Sequence, residues 1–165
     1  MLELLQHISA LPSCKVYPPI NHTLGVRQGL ILPQDINEFY KLCDGVALFL
    51  DQDYSYSIVH SSEFAVANPV IIGQQAFQIV SDDDISHDWY VIAHDSDQQY
   101  LTIDLNPARL GRCYDSFSGR HAVPKEAQII AVSFTDLLQR LVENRGDYPY
   151  WLKDGFAGMG MAYDV

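Results

Sequence analysis

Apolar and polar positions are most regularly ordered between Trp89 and Phe117. Trp89–His94 is a nearly continuous apolar run, and Asp95-Ser96-Asp97 interrupts it. Tyr100–Leu105 then alternates, with Leu101, Ile103 and Leu105 on one face and Tyr100, Thr102 and Asp104 on the other. Asn106-Pro107 is a second break, and Gly111–Tyr114 begins a third run. A period of two, bounded by Asp, Ser, Asn and Pro, predicts an antiparallel meander with one buried face. The breaks are too short for the crossover that parallel pairing requires.

The same reading places the other elements. Leu2, Leu5 and Ile8 have helical spacing, so Met1–Ala10 is expected to be a short helix stopped by Pro12. Ser13 to Asn21 reads as an irregular connection. Pro33 suits a first helical position, Asp35 and Glu38 favour the positive end of a helix dipole, and Ile36, Phe39, Tyr40 and Cys43 form an apolar stripe. Asp44-Gly45 ends that helix. Val46–Leu50 and Tyr54–His60 flank the turn Asp51-Gln52-Asp53 and predict a hairpin. Ser61–Asn68 is expected to be a helical turn limited by Pro69. Val70–Ile72 and Phe77–Val80 are compatible with helix or strand, and Ser81–Asp88 with a solvated loop. Ala127–Val132 is apolar and runs into Ser133-Phe134-Thr135-Asp136, a capping box with Asp in place of Glu or Gln. Leu137, Leu138, Leu141 and Val142 supply that helix with a core face. The aromatic and Gly-rich tail, Tyr148 to Val165, is expected to pack on the body. Strands that follow one another without intervening helices indicate an α+β class with a mainly antiparallel sheet, in one domain of 165 residues.

Composition sharpens the functional picture. Hydrophobic residues make up 48% and charged residues 19%, which is ordinary for a globular domain. The net charge is −11, and its distribution is uneven: residues 51–100 carry nine Asp/Glu and no Lys/Arg. That argues against nucleic acid as a partner, because phosphate contacts need basic side chains. It permits a basic protein partner. Neither a signal-peptide pattern nor a membrane-length apolar run is present, so a cytoplasmic location is expected, without membrane contact. Cys14, Cys43 and Cys113 have no zinc-site spacing and read as buried thiols.

Candidate chemistry concentrates in the same acidic third. Asp51-x-Asp53 and Asp95-x-Asp97 resemble the opening of a calcium loop but lack its glycine at position six and glutamate at position twelve. Asp is also a normal turn residue. His87-Asp88 and His94-Asp95 would be the acid/base pairs of an enzyme built on the Asp/His-rich segment 82–97, but no nucleophile elbow, HExxH or phosphate-cradling loop accompanies them. Trp89, Tyr90 and Phe134 read as core. Tyr54, Tyr56, Tyr148 and Tyr150 are the better surface candidates, since they lie beside polar turns or in the tail.

Three blocks resemble the SUKH superfamily, a group that includes a yeast cell-wall synthesis regulator and many bacterial immunity proteins. They are Leu32 to Gly45, similar to an "LP…F…NG" helix with Asp44 for the usual Asn; Val91 to Leu105 with Gly111–Tyr114; and Ile130 to Leu138, similar to an "iA.sF.efL" ending. The family-like core spans 24–142, after an N-terminal helix and before the tail. Gln98-Gln99 stands where the family often has Gly-Gly. The resemblance implies a sheet of about six strands backed by helices and a non-enzymatic role, without cofactor or metal. Bacterial members are similar to antidotes that block toxins, often nucleases. No binding residues carry over from it. Electrostatics instead nominates Asp51, Asp53, Asp82, Asp83, Asp84, Asp95 and Asp97 as an acidic face for a basic toxin. A regulatory scaffold and a metal-dependent or acid/base enzyme are the alternatives.

Overall fold

The computed structural model describes residues 1–77, 80–81 and 83–164. Gln78 and Ile79, within the run Phe77–Val80, lie outside the described residues, as does Asp82. The chain is an α+β fold built on one seven-stranded sheet, β1 to β7 in sequence order, with every pairing antiparallel. The strands are β1 (Lys15–Val16), β2 (Val46–Leu48), β3 (Tyr56–Ile58), β4 (Trp89–Asp95), β5 (Tyr100–Asp104), β6 (Cys113–Ser116) and β7 (Ile129–Ala131). The helices are α1 (Leu2–Ala10), α2 (Gln34–Leu42), α3 (Ala67–Ile71), α4 (Gly73–Phe77) and α5 (Phe134–Asn144).

The expected meander is β4–β5–β6, and the expected hairpin is β2–β3. The strand beyond the expected six is β1, which arises in the stretch read as irregular. Its two residues pair with Ala47 and Val46, a length too short to leave a period.

The expectation of one buried face is corrected. Thr102 and Asp104 are as fully buried as Leu101 and Ile103. Helices α2 and α5 cover one side of the sheet, joined by an edge-on contact of Phe39 and Phe134 at 4.8 Å. The Asp35 carboxylate at the start of α2 accepts hydrogen bonds from the Thr135 amide (2.9 Å) and hydroxyl (3.1 Å) at the start of α5. The other side is covered by α3, the short 3-10 turn Ile85–Asp88 and the loop bearing His121. Polar residues on that side are tolerated because each finds a partner. His121 Nδ1 contacts the Ser116 hydroxyl (3.0 Å), Ser116 bonds Thr102 (2.7 Å), and His121 Nε2 meets Asn68 Oδ1 (2.7 Å).

Local signals explain several boundaries and correct others. Pro33 stands at the N-cap of α2, one residue before the helix. Pro69 does not end a helix; it sits in the first turn of α3, where its missing N–H costs nothing. Ser81–Asp88 is not wholly solvated, because the Asp84 carboxylate caps the 3-10 turn and Ser86 is buried. The Ser133 hydroxyl accepts from the Asp136 amide (3.1 Å), while the Asp136 carboxylate reaches back to the Val132 amide (3.1 Å). The tail packs as expected: Trp151 is buried, and the segment around Met161 pairs with the outer edge of β7 through Ile129 N–H to Gly160 O (2.9 Å) and Ala162 N–H to Ala127 O (2.8 Å). Truncating Ser133→Ala should remove the α5 cap and cost about 1 kcal/mol, measurable as a lower urea midpoint at unchanged m-value.

Candidate partner-binding site

The meander divides the acidic residues between two ends of the sheet. Tyr56 pairs with Asp95, so the β2–β3 turn, with Asp51 and Asp53, lies beside the β4–β5 turn, with Asp97. Asp83 and Asp84 precede β4, whose seven residues separate the ends by about 20 Å. The structure therefore brings Asp51, Asp53, Asp95 and Asp97 to one end and Asp83 and Asp84 to the other. Asp82 is outside the described residues.

The individual environments differ. Asp51, Asp53, Asp83 and Asp97 are exposed. Asp95 is nearly buried, and its Oδ1 accepts from the amides of Asp97 and Gln99, both at 2.9 Å. It shapes the turn. Asp84 is half-buried and accepts from the Ser86 amide (2.8 Å) and the Tyr163 hydroxyl (2.9 Å). A hydrogen bond from the Ser13 side chain is the main influence holding the Asp51 carboxyl below its usual range, so it is ionised at neutral pH.

The end with Asp83 and Asp84 is an open depression of about 480 Å³ lined by Arg27, Asp83, Asp84, His87, Asp88 and Arg109. Its charges are largely consumed in structure. Arg27 pairs with Asp88 at 3.0 Å, and Arg109 bridges Asp88 (3.2 Å) and Asp104 (2.7 Å). Asp104 Oδ2 also accepts from Trp89 Nε1 (3.1 Å) and the Tyr114 hydroxyl (3.0 Å), and Oδ1 from the Asn106 amide (2.8 Å). Burial raises the Asp104 carboxyl above its ordinary range despite these bonds. It pushes the Tyr114 phenol up too, reinforced by Asp104.

The proposed acid/base pairs occupy structural roles. His94 Nδ1 hydrogen-bonds to the Asp95 carbonyl (2.8 Å), and His87 Nε2 contacts the Ser81 carbonyl (2.8 Å). Among the described residues, no group of three or more His, Cys, Asp or Glu is placed to hold a metal ion. Asp44, at the position where the family resemblance has Asn, accepts the Ser61 amide at 2.9 Å and contacts His60 at 3.2 Å.

The tyrosines separate. Tyr56 is 3% exposed, and Tyr150 is half-buried with its hydroxyl on the Ile130 carbonyl, which moves both out of the surface set. Tyr54 and Tyr148 remain exposed and meet edge-on at 5.4 Å. Leu50, read as strand, is exposed at the β2–β3 turn, and Asp147 joins the same neighbourhood. Neither had a sequence signal, because what unites them is a contact between distant loops.

A family model described as SMI1/KNR4 (SUKH-1) matches residues 26–140. Immunity protein YokJ of Bacillus subtilis (strain 168) is 50% identical over 133 residues, covering 81% of this chain and 78% of that protein. No solved structure matches.

Two predictions follow from the buried polar groups. Arg109→Ala leaves the Asp104 carboxylate buried without its cation. The expected loss is near the lower end of ~3–5 kcal/mol, since the Arg109 side chain is 19% exposed, and chemical denaturation measures it. Burial pushes His121 down to about 4, whereas an unfolded His titrates near 6.5. Between those values only the unfolded chain takes up the proton, so stability falls as pH drops from about 6.5 towards 4, by on the order of 3 kcal/mol. The raised carboxyls of Asp104 and Asp115 act oppositely, adding stability as pH falls through their titration. The difference between wild type and His121→Gln at each pH isolates the histidine. The variant should show the shallower decline.

Proposed function

The chain belongs to the SMI1/KNR4 family (SUKH-1), and from that premise we propose that it is an immunity protein, a non-enzymatic antidote that binds a toxin and blocks it. The observation that carries this reading is the 50% identity with an immunity protein over 133 residues. Protection by binding requires a complementary surface and no turnover, so the structural roles taken by the Asp/His pairs fit it. A cytoplasmic location follows from the same role.

The proposed toxin is basic and of nuclease type. A nuclease must attract phosphate, so its active-site surface tends to carry Lys and Arg. An antidote with nine acidic and no basic residues in positions 51–100 would steer such a surface into contact and raise the association rate. Asp51, Asp53, Asp83, Asp84 and Asp97 are the described carboxylates offered for this role, with Asp95 shaping its turn. Asp82 belongs to the same proposal from sequence alone.

Co-expression with the product of the neighbouring upstream gene is the test, and that product should be toxic when expressed alone. Growth should be restored, the two proteins should co-purify, and the association rate should fall steeply with salt. Toxicity that persists in the presence of folded protein would overturn the immunity reading. Neutralisation with a salt-independent association rate would overturn only its electrostatic part.

A further inference from the structure

We propose that the basic partner docks on the end of the sheet formed by the β2–β3 turn and the loop after α5, with Tyr54 and Tyr148 as its anchors. This rests on the immunity reading and adds the surface and its chemistry.

The apolar component comes first. Leu50, Tyr54 and Tyr148 are 59%, 36% and 43% exposed. The two tyrosine rings meet edge-on at 5.4 Å, so they present one aromatic surface. Tyrosine supplies large contact area at low entropic cost, which is why it recurs among interface hot spots. Its ring face also accepts arginine, the cation expected from a basic partner.

The surface is held in shape before any partner arrives. Gly146 has φ +72°, and a Cβ there would sit 2.6 Å from Gln52 Cβ and 2.9 Å from Phe49 Cβ. The two loops are pressed together so closely that only glycine fits. The Asn144 side-chain Nδ2 donates to the carbonyls of Asp147 (2.7 Å) and Tyr148 (3.3 Å). Lys153 Nζ clamps Asn144 (2.8 Å) and Asp147 (2.9 Å). On the other side of the seam, the Leu50 amide ties the β2–β3 turn to the Ser13 carbonyl (2.8 Å), and within the turn the Gln52 amide donates to the Phe49 carbonyl (2.9 Å). A pre-organised surface loses little freedom on binding.

Charge then selects the partner. Asp51 and Asp53 flank the anchors, and Asp97 lies on the neighbouring turn. Among the described residues none of the three forms a salt bridge. Asp147 is 70% exposed and shares Lys153. At the opposite end, by contrast, Arg27 and Arg109 neutralise Asp88 and Asp104. Asp51, Asp53 and Asp97 therefore place acidic charge beside the exposed aromatics, with Arg145 exposed in the loop after α5 and Asp83 exposed at the far end, and this suits a basic protein surface with an apolar or arginine-rich centre.

The probe is the neighbouring-gene toxin, purified in a catalytically inactive form, with binding followed by biolayer interferometry at low and moderate salt. Tyr54→Ala and Tyr148→Ala should each weaken binding by about tenfold or more, mainly through faster dissociation. The double variant Asp51→Asn/Asp53→Asn should slow association and flatten its salt dependence. Val132→Ser, just beyond β7 at the opposite end of the sheet and 61% exposed, should bind as wild type. Urea midpoints verify that each variant is folded, and the exposed charge pair tests the surface even where a tyrosine variant is impaired. If wild type binds but the tyrosine and aspartate variants bind equally well, this docking surface is overturned while the immunity reading stands. If wild type neither binds nor neutralises, both are overturned.

Discussion

The carboxylate of Asp104 is the group on which much of this architecture depends. It is completely buried, yet it meets groups from both neighbouring strands and a loop: Trp89 of β4, Tyr114 of β6, and Asn106 and Arg109 from the connection between β5 and β6. A buried charge is tolerated only when its hydrogen-bonding capacity is filled and an opposite charge lies close. Those conditions fix the indole, the phenol and the guanidinium relative to one another. Arg109 continues through Asp88 to Arg27, so the constraint extends from the middle of the sheet to the chain before α2.

This arrangement explains which parts of the molecule were legible in its sequence. The meander, the hairpin, the α2 stripe and the Ser133 cap were readable because each depends on neighbours a few residues away. The burial of Asp104 and Thr102 was not. In isolation, Tyr100–Leu105 alternates like a half-exposed strand, and only the α3 side of the fold reveals that its polar face is covered. The buried chain from Thr102 through Ser116 and His121 to Asn68 unites four segments, and no local pattern encodes that meeting. Strand β1 was invisible for a different reason: two residues cannot establish a period.

The acidic character of the central third was plain from composition, but its meaning depended on topology. An antiparallel meander sends successive turns to alternate ends, so charges adjacent in sequence become separated in space. At one end Asp88 and Asp104 are joined to arginines and serve the interior, while Asp83 stays exposed. At the other they stand in water beside aromatic rings contributed by a distant loop. The candidate site was thus half legible: its charge could be counted, whereas the Tyr54–Tyr148 pairing and the Gly146 seam emerge only when the chain has closed on itself.

The pairing of the tail with β7 has a consequence for handling the protein. A sheet margin with unsatisfied amides and carbonyls is a template for another chain. Here Gly160 and Ala162 occupy that margin, beyond the 26–140 region shared with the family. Trimming the protein to that shared region would cut the last four residues from α5 and strip the cover from β7. The product would be prone to self-association through strand exchange, so the last residues act as a built-in guard against aggregation.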